Sequence, residues 1–295
     1  VPYIQPSEPK NIQLLKDQDF DNGYALRGPM VSRDTVDMLL IKPGRKPAWL
    51  FSQWNSDYVL QAEDLEIISA GSYAFTNEGN RLSRIRSNDG VKTLSVYAAG
   101  HKEWSDGVRQ PGETWPHMLL SQPINNCPTL DRLDALNFKI KTRVKNWTLY
   151  FEDEYEQNLH AARYRTNLVV KNINPQSPDY NEYFWFVLTY FDNRHVFQPE
   201  SWKKDVGGSG KFIYGADARE YLSASTHDLE WVTIDKDILP LIKRGLQKGK
   251  EEGFFNEADP LSDFIIASFN IGYELTGAIE IESEIRDLSI IAVER

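Results

Sequence analysis

Cysteine is almost absent from this chain of 295 residues, which contains Cys127 and no other. An intrachain disulfide is therefore impossible, and no cysteine pair or quartet has the spacing of a zinc site. The five histidines are scattered without metal-motif spacing. Asp179-Tyr180-Asn181 has residue types found in Ca²⁺ sites, but no Asp-x-Asp-x-Asp loop surrounds it. The sequence predicts no metal centre and no cofactor, with a structural Ca²⁺ as the weaker alternative.

Long apolar runs and an excess of basic residues are also missing. No stretch of 18 apolar residues exists, so no membrane span is predicted. The formal net charge of −10 argues against the basic surface that nucleic-acid binding needs. The chain opens Val1-Pro2-Tyr3 without an initiator methionine, which favours a trimmed N-terminus after export. We therefore expect a secreted or periplasmic protein that does not bind nucleic acid.

Two common enzyme motifs are absent. The glycine-rich segment 206–211 lacks the Gly-x-x-x-x-Gly-Lys-Ser/Thr spacing of a phosphate-binding loop, so it predicts a flexible loop. No Gly-x-Ser-x-Gly elbow is present, which leaves a serine hydrolase unsupported.

Aromatic residues, in contrast, are plentiful: 8 Trp, 14 Tyr and 14 Phe. They favour either a core of large rings or a groove in which rings stack on sugar faces. Trp104 and Trp115 lie in a long polar loop, 100–116, of a length that is often functional. Either the two rings plug one end of the fold or they contact a ligand. His117 has the same two alternatives, an interior histidine or a ligand contact.

The periodicity of the chain predicts an all-β protein. Residues 136–150 alternate between apolar and basic side chains, which indicates a strand with one buried face. Apolar residues recur at helical spacing from Asp237 to Glu252, and no βαβ rhythm is visible. We predict one domain over residues 1–295, with an N-terminal elaboration over about 1–75. Its fold is a concanavalin-like jelly-roll β-sandwich with one long helix before the last two strands.

Two glutamates are candidate catalytic residues. Strand periodicity places Glu182 on one face with Phe184 and Phe186, so that rings could hold a sugar beside a carboxylate. Glu274 follows an apolar strand, in Asn270-Ile271-Gly272-Tyr273-Glu274-Leu275-Thr276-Gly277. Retaining glycosidases place two carboxyls about 5–5.5 Å apart, and inverting ones about 6.5–9.5 Å. The structural alternative is that Glu182 lies in a wet turn and that Glu274 caps a turn or pairs with Arg286.

These segments resemble glycoside hydrolase family 12, the jelly-roll endoglucanases. Glu182-Tyr183-Phe184-Trp185-Phe186 is similar to the strand that carries the family's nucleophile. Gly272-Tyr273-Glu274-Leu275-Thr276-Gly277 is similar to its acid-bearing turn but is one residue short. The resemblance covers about residues 130–293. It implies hydrolysis of a β-linked polysaccharide, with Glu182 as nucleophile and Glu274 as acid/base. The loop and the strand periodicity themselves add the candidate substrate contacts Trp104, Trp115, His117, Phe184 and Phe186.

Two other functions remain open. A noncatalytic carbohydrate-binding, lectin-like module requires an aromatic-lined face without a carboxylate pair, and its partner is a polysaccharide or oligosaccharide. A structural or interaction protein on the same scaffold requires a large exposed apolar patch. The oligomeric state is not predicted.

Overall fold

A computed structural model describes residues 9–42, 44–104, 107–206 and 208–295, so Val1-Pro2-Tyr3 lies outside the described residues. The described part contains seventeen strands and one α-helix, α1 (Leu239–Glu251). The strands are β1 (Lys10–Gln13), β2 (Tyr24–Arg27), β3 (Asp37–Leu39), β4 (Trp49–Ser52), β5 (Leu65–Ser69), β6 (Ser72–Thr76), β7 (Asn80–Arg86), β8 (Lys92–Ala99), β9 (His117–Pro123), β10 (Leu133–Leu149), β11 (Ala162–Asn172), β12 (Tyr183–Asp192), β13 (Ser201–Lys204), β14 (Phe212–Gly215), β15 (Val232–Asp237), β16 (Phe264–Leu275) and β17 (Ile279–Glu294).

These strands form two facing sheets. The eight-stranded sheet has the order β15-β10-β17-β8-β7-β6-β5, with β1 added beside β17. The nine-stranded sheet has the order β13-β14-β12-β11-β16-β9-β4-β2-β3. Strands from the first 76 residues lie in both sheets.

The predicted alternation in β10 explains how the eight-stranded sheet faces the core. Phe138, Ile140 and Val144 are fully buried, whereas Lys139 is exposed. The long antiparallel pairing of β10 with β17 fixes this register, because a slip of one residue would turn the apolar side chains to solvent. Buried tyrosines join the sheets: the Tyr164 hydroxyl lies 2.8 Å from that of Thr142.

Helix α1 covers the core side of β12 and β14. Pro240 lies in its first turn, where no backbone N–H is needed. Gly245 lets the helix approach closely, since a Cβ there would lie 2.7 Å from the Tyr214 ring. The predicted helix is thus confirmed with slightly shorter bounds.

The predicted fold class is confirmed: the chain is a mostly β, two-sheet sandwich, and its one described α-helix precedes the last two strands, β16 and β17. In the described residues, no helix has the length and apolar character needed to cross a membrane.

Candidate functional site

The face of the nine-stranded sheet that points away from the other sheet carries the candidate site, and we call it the outer face. Along β11, Tyr164 and Thr166 point into the core, so the alternating residues Arg163, Arg165 and Asn167 point outward. The neighbouring strand β16 contributes Glu274, which is directly opposite Arg163 in the ladder. The centre of this face therefore carries charged and amide side chains instead of apolar ones.

Glu274 is held by two guanidinium groups. Its carboxylate accepts a hydrogen bond from Arg165 and lies 4.0 Å from Nη1 of Arg163. Its side chain is 18% exposed. Burial alone would raise the pKa of Glu274, but Arg165, His117 and Arg163 outweigh it and lower the pKa to about 2. The guanidinium groups thus favour the ionised form of Glu274, which is opposite to what a general acid needs.

A second carboxylate lies on the other side of Arg163. Asp192 of β12 is directly opposite Arg163 in the ladder, and Nε of Arg163 lies 3.5 Å from its Oδ2. Arg194 donates hydrogen bonds to both carboxylate oxygens of Asp192, from Nε to Oδ1 at 2.7 Å and from Nη2 to Oδ2 at 2.6 Å. Although burial opposes it, this bidentate pairing lowers the pKa of Asp192 as well. Both carboxylates beside Arg163 are thus ionised.

Rings form one rim of the site. His117 of β9 lies opposite Glu274 in the ladder, with its ring 6.0 Å from Trp54 and 5.8 Å from Trp115. Nδ1 of His117 lies 3.1 Å from the Trp115 carbonyl, which can only accept, so Nδ1 carries the proton in the neutral ring. Burial lowers the pKa of His117, which favours that neutral form. The indole N–H groups of Trp54 and Trp115 have no hydrogen-bond partner among the described residues.

The β13–β14 hairpin forms another wall. Lys203 is exposed and has no ion-pair partner within 4.0 Å among the described residues. In the ladder Lys203 is opposite Ile213, and Ile213 is opposite Trp185, so Lys203 points to the outer face at its Trp185 end. Desolvation, and next Arg163 and Arg165, lower the pKa of Lys203. The hairpin therefore extends the outer face beyond β12.

The far end of the outer face carries more rings. Trp185 of β12 points outward and is partly exposed, and its indole N–H donates to Ser209 at 3.1 Å. Tyr183 packs edge-on against Trp185, with ring centroids 5.6 Å apart. Trp185 lies opposite Val169, six residues along β11 from Arg163. At about 3.3 Å per residue, the two ends of the face are roughly 20 Å apart.

The structure does not bring Glu182 and Glu274 together. Glu182 precedes β12, where its carbonyl accepts from the Asn172 backbone N–H, and its carboxylate pairs with Lys211. Glu274 lies opposite Arg163, which is nine residues along β11 from Asn172. Nine residues of strand correspond to roughly 30 Å, several times the separation used by glycosidases. The predicted carboxylate pair is therefore not present.

Phe184 and Phe186 were assigned to the wrong face. Both are fully buried, Phe184 against Phe212 and Phe255 and Phe186 against Tyr214, in the core beneath α1. The strand has the predicted period of two, but its even-numbered residues point inward. These two rings cannot contact a substrate on the outer face, and Tyr183 and Trp185 take that place.

The loop tryptophans lie in different surroundings. Trp115 stacks beneath the Arg109 guanidinium at 5.2 Å, and Arg109 anchors the loop by donating to the carbonyls of Thr276, Glu113 and Leu159. Trp104 instead lines a separate shallow cavity of about 250 Å³ with Asn55, Asp57, Glu103, Glu113, Thr114 and Pro116. The structure thus places Trp115 and His117 at the rim of the outer face, whereas Trp104 lines the neighbouring cavity.

Three cations of the outer face, Arg163, Arg165 and Lys203, are not among the residues predicted from the sequence. A usable signal existed in Arg163-Tyr164-Arg165, where cations alternate with an aromatic residue as on a strand with one polar face. Within the described ranges, no group of three or more His, Cys, Asp or Glu side chains is placed to hold a metal ion. Asp179, the candidate Ca²⁺ ligand, accepts a hydrogen bond from the Asn256 backbone.

No family model matches the sequence, and no curated protein matches it. Solved structures of glycoside hydrolases are similar in fold. Endoglucanase Cel12A from Rhodothermus marinus has a TM-score of 0.41 and 8% identity, covering 75% of this chain and 92% of its own. The xyloglucanase domain of NopAA from Sinorhizobium fredii, solved with cellobiose, has a TM-score of 0.39 and 14% identity, covering 76% of this chain and 98% of its own. Endoglucanase 3 from Trichoderma harzianum, of family GH12, has a TM-score of 0.37 and 11% identity, covering 81% of this chain and 98% of its own. Similarity at these TM-scores and identities says nothing about activity.

Proposed function

We propose that this chain is a noncatalytic carbohydrate-binding protein whose ligand lies along the outer face. The observation that carries the proposal is the combination of rings at both ends of the face, Trp185 with Tyr183 and Trp115 with His117, with hydrogen-bonding groups between them. Rings match the apolar faces of pyranoses. Guanidinium and amide groups, such as those of Arg165 and Asn167, match sugar hydroxyls and fix orientation.

Electrostatics favours binding over hydrolysis. A glycosidase of this kind needs one carboxyl whose pKa is raised so that it can protonate the leaving group. The two carboxylates at the centre, Glu274 and Asp192, both have lowered pKa values because guanidinium groups hold them. Glu182 is on the surface far from both. The geometry therefore supplies contacts for a saccharide without the acid of the two-carboxylate mechanism.

Titration calorimetry against a panel of soluble polysaccharides and oligosaccharides tests the proposal. We expect binding without the appearance of new reducing ends over hours of incubation. Trp185→Ala should weaken the affinity about tenfold, since stacking and burial of one large ring are worth roughly 1.5 kcal/mol. Trp231→Ala is the matched control, because Trp231 packs among cations on the opposite sheet.

The outcomes separate the competing functions. If new reducing ends form with the wild type but not with Glu274→Gln or Glu182→Gln, the protein is a glycoside hydrolase and not a noncatalytic binder. Absence of binding to every glycan in the panel would contradict the proposal itself.

One observation favours the interaction-protein alternative. Apolar side chains are exposed near the edge strand β3, among them Met30 (77%), Val31 (66%) and Val36 (60%). Single exposed apolar residues are common, but a group of them is typical of an interaction surface. If this group mediates self-association, sedimentation velocity will show a mass that rises with protein concentration and falls in Val36→Ser.

A further inference from the structure

Positive charge at the centre of the outer face exceeds what its own carboxylates neutralise. Arg163, Arg165 and Arg194 surround two carboxylates, Glu274 and Asp192. The β13–β14 hairpin adds one charge of each sign: Lys203, in register with Ile213 and Trp185, and Asp205, whose Oδ2 accepts from the N–H and hydroxyl of Ser209 at 2.7 and 2.8 Å. This excess lies within a chain whose net charge is −10.

The hydrogen-bonding capacity of these cations is only partly used by their own carboxylates. Nε of Arg165 is buried and has no hydrogen-bond partner among the described residues. Arg163 makes only long contacts, 3.5 Å to Asp192 and 4.0 Å to Glu274. Lys203 has no carboxylate within 4.0 Å in the described part of the chain. Like charges held together in a partly dry site are unfavourable unless an anion joins them.

We infer that the saccharide bound on the outer face is acidic, with one uronate carboxylate against Arg163 and Arg165 and that of a flanking sugar near Lys203 at the Trp185 end. A planar carboxylate matches the guanidinium fork, and the ammonium of Lys203 adds a point charge in the row of Ile213 and Trp185. The rings of Trp185 and Trp115 then contact the flanking sugars. This inference rests on the proposed function and adds the chemical class of the ligand.

A pair of ligands that share one backbone and differ in whether the carboxylates are free or methyl-esterified gives the sharpest test. Tetragalacturonate and its fully methyl-esterified form share the same backbone, so calorimetry with both isolates the carboxylates. We expect the acid to bind at least tenfold more tightly than the ester, because a charge-assisted hydrogen bond contributes about 1.5–3 kcal/mol. Its affinity should also fall as salt is raised from about 0.05 to 0.5 M, as screening requires.

Two neighbouring lysines provide matched variants. Lys203→Gln should reduce the affinity for tetragalacturonate about fivefold to tenfold and leave that for the ester unchanged. Lys204→Gln is the control, because Lys204 is also exposed but points to the opposite side of the same strand. Both substitutions are on the surface, so folding is expected to be unaffected.

Each result has one meaning. Equal affinity for acid and ester, or equal effects of the two lysine substitutions, would overturn the acidic-ligand inference. Binding of neutral cello-oligosaccharides without binding of the acid would overturn it as well, while the proposed carbohydrate-binding function would stand. Failure of acid, ester and neutral oligosaccharides alike would overturn both. A sulfated galactan oligosaccharide, run in parallel, shows whether sulfate replaces the uronate; tighter binding to it than to the uronate would overturn the assignment of a carboxylate.

Discussion

The two outer surfaces of the sandwich use charge in opposite ways. On the eight-stranded sheet, the carboxylates of β17 lie between cations of β10 on one side and a cation of β7, beyond β8, on the other. Glu282 of β17 lies 2.9 Å from Arg81 on one side and 3.2 Å from Lys145 on the other, and Glu284 lies 2.6 Å from Arg143. On that surface, each of these carboxylates has its cation on a neighbouring strand.

The nine-stranded sheet places its cations side by side instead. Arg163 and Arg165 are two residues apart on one strand and share Glu274 as a counter-charge. The same residue types thus form a surface with balanced charges on the eight-stranded sheet and a surface with excess positive charge on the nine-stranded sheet. This difference identifies the outer face of the nine-stranded sheet as the place to look for a ligand.

Removing one carboxylate from each sheet should expose the contrast most strongly. Glu274→Gln leaves the partly buried Arg165 without its counter-charge and removes one of the two carboxylates beside Arg163, so we expect the free energy of unfolding to fall by about 3 kcal/mol. Glu284→Gln, the matched variant on the other sheet, breaks a single pair with Arg143, whose side chain is 28% exposed and can be hydrated, and should cost about 1 kcal/mol. Urea denaturation of both variants and the wild type measures the difference. Equal losses would mean that the two surfaces do not differ in this way.

Acid titration should remove the same contribution without a mutation. Because the pKa of Glu274 is lowered from 4.5 to about 2 in the folded state, its ion pairs stabilise the fold fully above pH 4.5. That stabilisation is lost as the pH falls from 4.5 towards 2, where the folded state also takes up the proton. The gap in unfolding free energy between wild type and Glu274→Gln should therefore narrow over this range. A gap that stays constant from pH 6 to pH 2.5 would contradict the ion pairing.

The sequence was sufficient for the fold but not for the site, and β10 and β12 show why. In β10 one face is apolar and the other basic, so the alternation alone assigns the faces. In β12 the run from Tyr183 to Phe191 is apolar at nearly every position, so the alternation cannot say which side points to the core. The assignment of Phe184 and Phe186 to a ligand face failed there, because helix α1, a distant segment, covers that side.

Contacts between residues that strand register brings together also could not be predicted from the sequence. Glu274 was identified as unusual, but its partners Arg165 and His117 come from β11 and β9, and nothing local to Glu274 specifies them. The distance of Glu182 from Glu274 likewise depends on the antiparallel order β12-β11-β16, which puts the two glutamates at opposite ends of β11. Spacing along the chain carries no information about that order.

The smallest predicted effect concerns the two outward tryptophans. The ring of Trp231 lies 3.9 Å from the Arg286 guanidinium and 4.8 Å from that of Arg143, so its contacts stabilise the eight-stranded sheet. Trp231→Leu should therefore lower the unfolding free energy by about 1 kcal/mol through lost cation–π contacts and leave glycan affinity unchanged. Trp185→Leu should do the reverse, with stability nearly unchanged and glycan affinity reduced. If thermal denaturation and calorimetry show the same pattern for both variants, then the ring on the outer face is as structural as its counterpart, and Trp185 has no part in binding.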